Sequence, residues 1–210
     1  MSFIKKVLCK RLMPFFMERV TENLKINRAD ILSPCEGHVL EVGIGTGANL
    51  PFYPDSVAKV SGLDIDENLL KRCQRKWDQI QGRKPELELI KGNIENLTFP
   101  SQRFDTAISC LVFCSVSDAA KGARELYRVL RPGGRVVFFE HVLDWDDTTA
   151  KWQRRLNPLW SRLSCGCQMT RQTNRVFEEA GFQFQELEST YYKSLGRLFS
   201  AVIKGIALKP

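Results

Sequence analysis

The chain has 210 residues, of which 43% are hydrophobic and 26% are charged, and its formal net charge is +7. This length suits one domain with its own core and is short for two. No apolar run approaches the ~18 residues of a membrane-spanning helix, and the N-terminus lacks the features of a secretory signal. The composition therefore excludes a membrane-embedded or low-complexity chain and indicates a globular protein.

Alternating strands and helices are predicted along most of the sequence. Strands are predicted at 37–43, 58–64, 87–90, 104–111, 135–140, 182–191 and 199–208. Helices are predicted at 67–81, from an N-cap at Asp118 to 130, at 148–163 with an interruption at Pro158, and from a cap at Thr170 to 180. This order predicts an α/β fold, a Rossmann-like doubly wound sheet of seven strands with helices on both faces. The sheet is mostly parallel, with one antiparallel strand from the C-terminal hairpin, which we place at the edge.

The first 30 residues are predicted to be a separate helical segment, preceding a domain at residues 31–210. Apolar residues recur there at three- and four-residue intervals and form one stripe of a helix: Phe3, Ile4, Val7, Leu8 and Leu12. Pro14 interrupts the pattern. Two interpretations stay open, a lid over a ligand pocket, which we favour, and a weak contact with an anionic membrane surface.

The basic residues are concentrated near the two ends of the chain, at Lys5, Lys6, Lys10, Arg11, Lys193, Arg197, Lys204 and Lys209. A nucleic-acid-binding protein usually gathers such charge with stacking aromatic residues on one face. We therefore expect a solvated basic surface and no nucleic-acid partner.

Seven cysteines lie at positions 9, 35, 73, 110, 114, 165 and 167. An odd number, mostly inside predicted elements, indicates reduced thiols in a cytoplasmic protein rather than a disulfide framework. Cys165 and Cys167 are the only close pair, and the two histidines, His38 and His141, are far from them in sequence. Because a zinc site usually needs four ligands, we predict no metal.

A glycine-rich turn, Glu41-Val42-Gly43-Ile44-Gly45-Thr46-Gly47, directly follows the first predicted strand. Glycines there let the chain turn sharply and bring backbone N–H groups against a ligand. The run also satisfies the dinucleotide pattern, so by itself it does not separate NAD from S-adenosylmethionine. Pro51 and Pro54 cut short the helix that a pyrophosphate would need, which favours S-adenosylmethionine.

Polar residues at the ends of neighbouring strands complete the predicted cofactor site. Glu41 can accept hydrogen bonds near the cofactor's amino-acid end, Asp64 can bind both ribose hydroxyls, and Asn93 can bind the adenine amino edge. The predicted cofactor-binding residues are Glu41, Gly43, Gly45, Gly47, Asp64, Ile65, Asn93, Ile94, Cys110 and Leu111.

Residues 37–140 resemble the class I methyltransferase domain that quinone, arsenite and small-molecule methyltransferases share. The second half resembles one branch more specifically, the methyltransferase-like thiol S-methyltransferases of animal microsomes and lipid droplets. The matching stretches are 45–49, 111–116, 128–134, 140–142, 152–153, 157–160, 166–167 and 170–173. Those enzymes carry a long hydrophobic N-terminal anchor where this chain has a short basic segment, and their glycine loop has cysteine in place of Ile44.

The resemblance implies methyl transfer to a small lipophilic acceptor, with a thiol as the leading candidate. His141, just past the fifth strand, is the candidate base or substrate-orienting group, although a histidine bonded into the loop would fit equally. Cys114 and Cys167 could line the same cavity, but we favour the interpretation that they are buried and act as small hydrophobic residues. Tyr53, Trp152 and Trp160 could form apolar walls, but aromatics at such spacing are more often plain core.

Three alternatives about function and assembly stay open. The acceptor could be a membrane lipid or a quinone instead of a thiol. The domain could also bind its nucleotide cofactor without catalysing a reaction. The protein is expected to be a monomer or a homodimer in the cytoplasm. The alternative localisation is a peripheral contact with the membrane.

Overall fold

A computed structural model describes residues 26–210. Most of the proposed N-terminal segment, including its apolar stripe, lies outside the described residues. The lid and membrane interpretations concern that stripe and therefore stay predictions. The strands are β1 (Gly37–Val42), β2 (Val57–Asp64), β3 (Glu86–Lys91), β4 (Phe104–Cys110), β5 (Leu130–His141), β6 (Gln183–Tyr191) and β7 (Ala201–Leu208). The α-helices are α1 (Arg28–Leu32), α2 (Glu67–Gln79), α3 (Ala119–Val129), α4 (Asp147–Leu163) and α5 (Thr173–Glu179).

The strands form one seven-stranded sheet in the order β3-β2-β1-β4-β5-β7-β6. Strands β1 to β5 pair in parallel, and β7 pairs antiparallel with both β5 and β6. The predicted doubly wound sheet with a single antiparallel strand is thus confirmed. Its predicted edge position is wrong, because β7 lies inside the sheet. Most of β7 is buried whereas most of β6 is exposed, so the more polar strand takes the edge.

Alternate residues of the central strands face two separate hydrophobic clusters. Leu40 of β1 belongs to a cluster that includes residues of α3 and α5, whereas its neighbour Val39 belongs to a cluster with residues of α1 and α2. Successive side chains of a strand point to opposite faces, so different helices cover the two faces of the sheet. This two-sided burial leaves the carboxyl ends of the strands as the place for a ligand.

Two predicted helix boundaries are corrected by tertiary contacts. Helix α4 continues through Pro158, because Gln153 is buried before the proline and Trp160 packs on Phe199 after it, with ring centroids 4.8 Å apart. Helix α5 begins at Thr173 instead of after Thr170. The guanidinium of Arg171 donates to the carbonyl oxygens of residues 113 and 116, which holds the preceding segment outside the helix. The Asp118 cap of α3 is confirmed, since its carboxylate accepts from the Lys121 N–H at 2.9 Å.

The C-terminal basic residues depart in part from the solvated surface expected from the sequence: Arg197 is exposed, whereas Lys209 and Lys204 have partners within the protein. Lys209 is buried, and its Nζ donates to the carbonyl oxygens of Tyr127 and Leu130 at 2.7 and 2.8 Å. These carbonyls lie at the end of α3, where a cation complements the helix dipole. Lys204 forms an ion pair with Glu188 at 3.0 Å.

The described cysteines depart in part from the prediction of reduced thiols. Cys35, Cys73, Cys110, Cys114 and Cys167 are free. Cys165 is disulfide-bonded, and it lies in an exposed turn whereas the free thiols are buried or half-buried. Among residues 26–210, no helix has the length and apolar character needed to cross a bilayer.

Candidate active site

A cavity of about 450 Å³ lies at the carboxyl ends of β1, β2 and β4. Strand β1 is the point where the strand order reverses, since β2 and β3 lie on one side of it and β4 and β5 on the other. In open α/β sheets ligands bind at such a switch point. The cavity is therefore in the position that the fold offers to a ligand.

All residues of the predicted cofactor-binding set line this cavity except Gly47. The φ angle of Gly47 is +78°, and a Cβ there would lie 2.6 Å from Leu50 and 2.9 Å from Cys73. Gly47 thus allows the loop to pack closely on α2. Its contribution to the cavity is indirect.

Asp64, the last residue of β2, is held in place by two backbone donors. The Gly45 N–H donates to Oδ2 at 3.0 Å and the Asp66 N–H donates to Oδ1 at 2.9 Å. Burial raises the pKa of Asp64, and these hydrogen bonds oppose that shift. A carboxylate oxygen can accept more than one hydrogen bond, so Asp64 can still receive donors from the cavity.

Gly45 leaves open space on its cavity side. A Cβ at this position would meet no protein atom closer than the Gly43 carbonyl oxygen, at 3.9 Å, and its φ angle is +57°. Because Gly45 lines the cavity, a side chain there would take up room that a bound molecule can use. The loop is therefore shaped to admit a ligand against its backbone.

Glu41 is the centre of a buried hydrogen-bond network that the sequence did not reveal. Asn49 Nδ2 donates to Glu41 Oε1 at 2.7 Å, and the Tyr53 hydroxyl donates to Oε2 at 2.6 Å. Arg28 donates to Asn49 Oδ1 at 2.6 Å. Burial raises the pKa of Glu41 to about 7, although both hydrogen bonds act in the opposite direction. Tyr53, predicted as an apolar wall, does not line the cavity; it serves as a hydrogen-bond donor to Glu41.

The cavity lining that follows β2 and β3 includes apolar side chains and one amide. Ile65 is 72% exposed and Ile94 is buried, and both line the cavity. Asn93 Oδ1 accepts the Glu95 N–H at 2.9 Å, which leaves its amide N–H groups for a ligand. These apolar side chains and the free amide N–H groups suit a flat heteroaromatic ring with polar edges.

The loop after β4 is fixed by Glu140, a residue that the sequence did not single out. The Oε1 atom of this buried carboxylate accepts from the Ser109 hydroxyl at 2.6 Å and from the backbone N–H of Val112 at 3.0 Å. Burial raises the pKa of Glu140. Leu111 has a φ angle of +59°, a strained conformation that such anchoring maintains.

His141 does not belong to the cavity lining. It is 6% exposed, and its Nε2 lies 3.3 Å from the Sγ of Cys167. Its Nδ1 has no hydrogen-bond partner among the described residues. The ligand atoms of Cys114, His141 and Cys167 all lie within 4.8 Å of one another. The prediction of no metal relied on the need for four ligands and on the distance of the histidines in sequence. The fold brings one histidine and two cysteines together, which removes the second reason.

The predicted aromatic walls are not found where expected. Neither Trp152 nor Trp160 lines the cavity. Trp152 is 52% exposed, and Trp160 packs on Phe199. Both belong to α4, which presents its aromatic residues to solvent and to the segment before β7.

Comparison with known proteins identifies the family. Residues 40–138 match the family described as Methyltransferase domain. A stretch of 194 residues is 30% identical to the thiol S-methyltransferase TMT1B of Rattus norvegicus and covers 86% of this chain and 79% of that protein. The chain belongs to the class I S-adenosylmethionine-dependent methyltransferases. The predicted family, fold and cofactor are thereby confirmed, and this methyltransferase uses S-adenosylmethionine.

Two further proteins are similar to this methyltransferase, one in sequence and one in fold. The phosphatidylethanolamine N-methyltransferase of Cereibacter sphaeroides is 35% identical over 127 residues, which cover 60% of this chain and 62% of that protein. A solved geranyl diphosphate methyltransferase in complex with SAM has a TM-score of 0.70 at 16% identity, over 87% of this chain and 82% of that one. The latter likeness shows the shared fold.

Proposed function

We propose that the cavity binds S-adenosylmethionine along the carboxyl ends of β1 and β2. Asp64 accepts the ribose hydroxyls, the open side of Gly45 receives the cofactor against the loop, and Glu41 with its network lies toward the amino-acid end. Ile65 and Ile94 flank the adenine, whose edge Asn93 binds. The fixed carboxylate of Asp64 is the observation that carries this assignment, because both its backbone bonds orient it without using all its acceptor capacity.

The acceptor that we propose is a small lipophilic thiol, methylated on sulfur by in-line displacement. The similarity to TMT1B supports this choice. The cavity lining includes the apolar residues Leu111, Val112, Val116 and Phe139, which suit a lipophilic molecule. The enzyme aligns donor and acceptor and excludes water, which can contribute ~7–11 kcal/mol.

A thiol needs little help to become a nucleophile, since a few per cent is thiolate near neutrality. We propose that His141 assists formation of the thiolate from behind the cavity wall. Its position supports an indirect contribution through neighbouring groups more than direct proton abstraction, because it does not line the cavity.

A second candidate acceptor is the headgroup of a membrane phospholipid. The similarity to a phosphatidylethanolamine N-methyltransferase supports it, and so does an apolar strip on α4. Trp152, Leu159 and Leu163 are 52%, 61% and 50% exposed and share one helix face by spacing. Sedimentation with anionic and neutral vesicles, for the full chain and for one lacking residues 1–17, tests membrane contact by the N-terminal segment.

A panel of acceptors with radiolabelled methyl donor decides between these candidates. The panel contains aliphatic and aromatic thiols, hydrogen sulfide, phosphatidylethanolamine vesicles and a quinone. We expect turnover of thiols and none of the lipid, with the Asp64→Ala protein as the inactive control. Labelling of phosphatidylethanolamine without thiol labelling would overturn the proposal.

A further inference from the structure

A cluster of two thiols and one imidazole lies beside the cofactor cavity. Its members are Cys114, from the loop after β4, His141, the last residue of β5, and Cys167, from the turn after α4. They are 2%, 6% and 9% exposed. The proposed cofactor site does not use them. Cys167 Sγ contacts His141 Nε2 at 3.3 Å, and Cys114 Sγ has long contacts with the Leu111 carbonyl oxygen and the Ser115 hydroxyl at 3.6 and 3.5 Å. These contacts do not explain why three such side chains lie within 4.8 Å of one another.

We propose that Cys114, His141 and Cys167 form a binding site for a thiophilic divalent cation of the zinc class. Two sulfurs and one nitrogen are a donor set that zinc prefers. Around tetrahedral zinc, such donor atoms are about 3.5–3.8 Å apart, as its bond lengths of ~2.3 Å to sulfur and ~2.0 Å to nitrogen require. The observed 3.3 Å between His141 Nε2 and Cys167 Sγ and the 4.8 Å limit for the whole cluster are close to that arrangement.

The backbone carrying these donors is already fixed, which favours a metal site. Glu140 Oε1 accepts the N–H groups of residues 112 and 113, and the Gln168 N–H donates to the Cys114 carbonyl at 2.7 Å. Asn157 in turn donates to Gln168 Oε1 at 2.6 Å. The two cysteine-bearing segments are thus tied to each other and to α4. Supporting bonds of this kind hold metal ligands in position.

Charge is also balanced in the proposed site. Binding a divalent cation replaces the two thiol protons, which go to solvent, and leaves two thiolates and a neutral imidazole around the metal. That unit carries no net charge, so its burial avoids the large cost of an isolated ion.

Three protein ligands leave a fourth coordination position for an exogenous molecule, as in catalytic zinc sites. Ser115, which follows Cys114, lines the cofactor cavity, as do Ser164 and Cys165, which lie within three residues of Cys167. If the proposed thiol methylation holds, on which this step rests, the fourth ligand is the acceptor thiol. Coordination releases its proton to solvent, and the resulting thiolate sulfur is the atom that receives the methyl group.

Metal analysis of the intact protein tests the site without an activity assay. Protein purified under reducing conditions without chelator is expected to contain close to one zinc per chain by mass spectrometry of the elements. Cobalt replacement is expected to give thiolate-to-cobalt charge-transfer bands and the strong visible bands of four-coordinate cobalt. Cys114→Ser, Cys167→Ser and His141→Ala are expected to weaken metal binding more than about 100-fold.

The control is Cys35→Ala, which removes a buried free thiol from the hydrophobic cluster that includes residues of α1 and α2. This variant should retain the metal. Absence of zinc, copper and cobalt binding from the well-folded wild-type protein, or a Cys114–Cys167 disulfide in reduced preparations, would overturn the site. Thiol addition should shift the cobalt spectrum. A metal-loaded protein whose cobalt spectrum does not change with thiol would support the metal site and overturn the proposed coordination of the acceptor. The acceptor panel tests thiol methylation separately.

Discussion

Replacing Asp64 by alanine should weaken binding of S-adenosylmethionine and S-adenosylhomocysteine strongly. The substitution removes the acceptor that we propose for both ribose hydroxyls and also leaves the Gly45 N–H, now bonded at 3.0 Å, without its partner. Hydrogen bonds to a charged group contribute up to ~3 kcal/mol, and an unpaired polar group adds its own cost. The expected total of ~2–4 kcal/mol corresponds to a roughly 30- to 900-fold rise in Kd.

Titration calorimetry with S-adenosylhomocysteine measures this change, and circular dichroism verifies the fold of each variant. The matched control is Asp146→Ser. Asp146 does not line the cavity; it accepts the Thr149 N–H at 2.8 Å as the N-cap of α4, and serine retains that capping function. Its affinity for S-adenosylhomocysteine should stay close to that of the wild type.

A double-mutant cycle separates direct ribose binding from an effect on the loop. S-Adenosylhomocysteine lacking the 2′-hydroxyl should bind the wild type more weakly, while Asp64→Ala should bind both forms alike. A folded Asp64→Ala protein with wild-type affinity would refute the role of Asp64. An undiminished penalty for the missing hydroxyl in this variant would refute direct contact.

Three further predictions concern other residues. Gly45→Val should abolish detectable cofactor binding by calorimetry, because its side chain would occupy cavity space at a φ of +57°; binding at wild-type affinity would contradict the proposed cofactor position. The raised pKa of Glu41, about 7 against an ordinary 4.5, gives stability that is present below pH 4.5 and lost as the pH rises through 7. Relative to Glu41→Gln, the free energy of unfolding measured in urea should thus fall by roughly 3 kcal/mol over that window; parallel pH profiles would argue against it. His141→Ala should lower thiol methylation more at pH 6.5 than at pH 9, where thiolate forms unaided. Cys114→Ser should share this profile if the cluster acts as a unit, and equal losses at both pH values would exclude any role of His141 in forming thiolate.

Several features were predictable because their cause is local in the sequence. Hydrophobic periodicity predicted the strands and the helix that Asp118 caps, since burial on a sheet or helix face imposes those periods. The glycine loop and Asp64 were also evident, because a sharp turn after a buried strand demands glycine and the next strand ends at the same edge. The predicted cofactor-binding residues therefore line one cavity, apart from Gly47.

Other features depended on residues that are distant in sequence, which only the tertiary structure brings together. Strand β7 lies between β5 and β6, where most of its residues are buried. Local patterning predicts a strand, but it does not determine which strands will be its neighbours. Glu41 obtains its buried partners Asn49 and Tyr53 from the turn that follows the glycine loop. His141 meets Cys167 because β5 ends where the chain returns from α4. Each partnership depends on which strand ends are adjacent, and that is decided by the packing of the complete sheet.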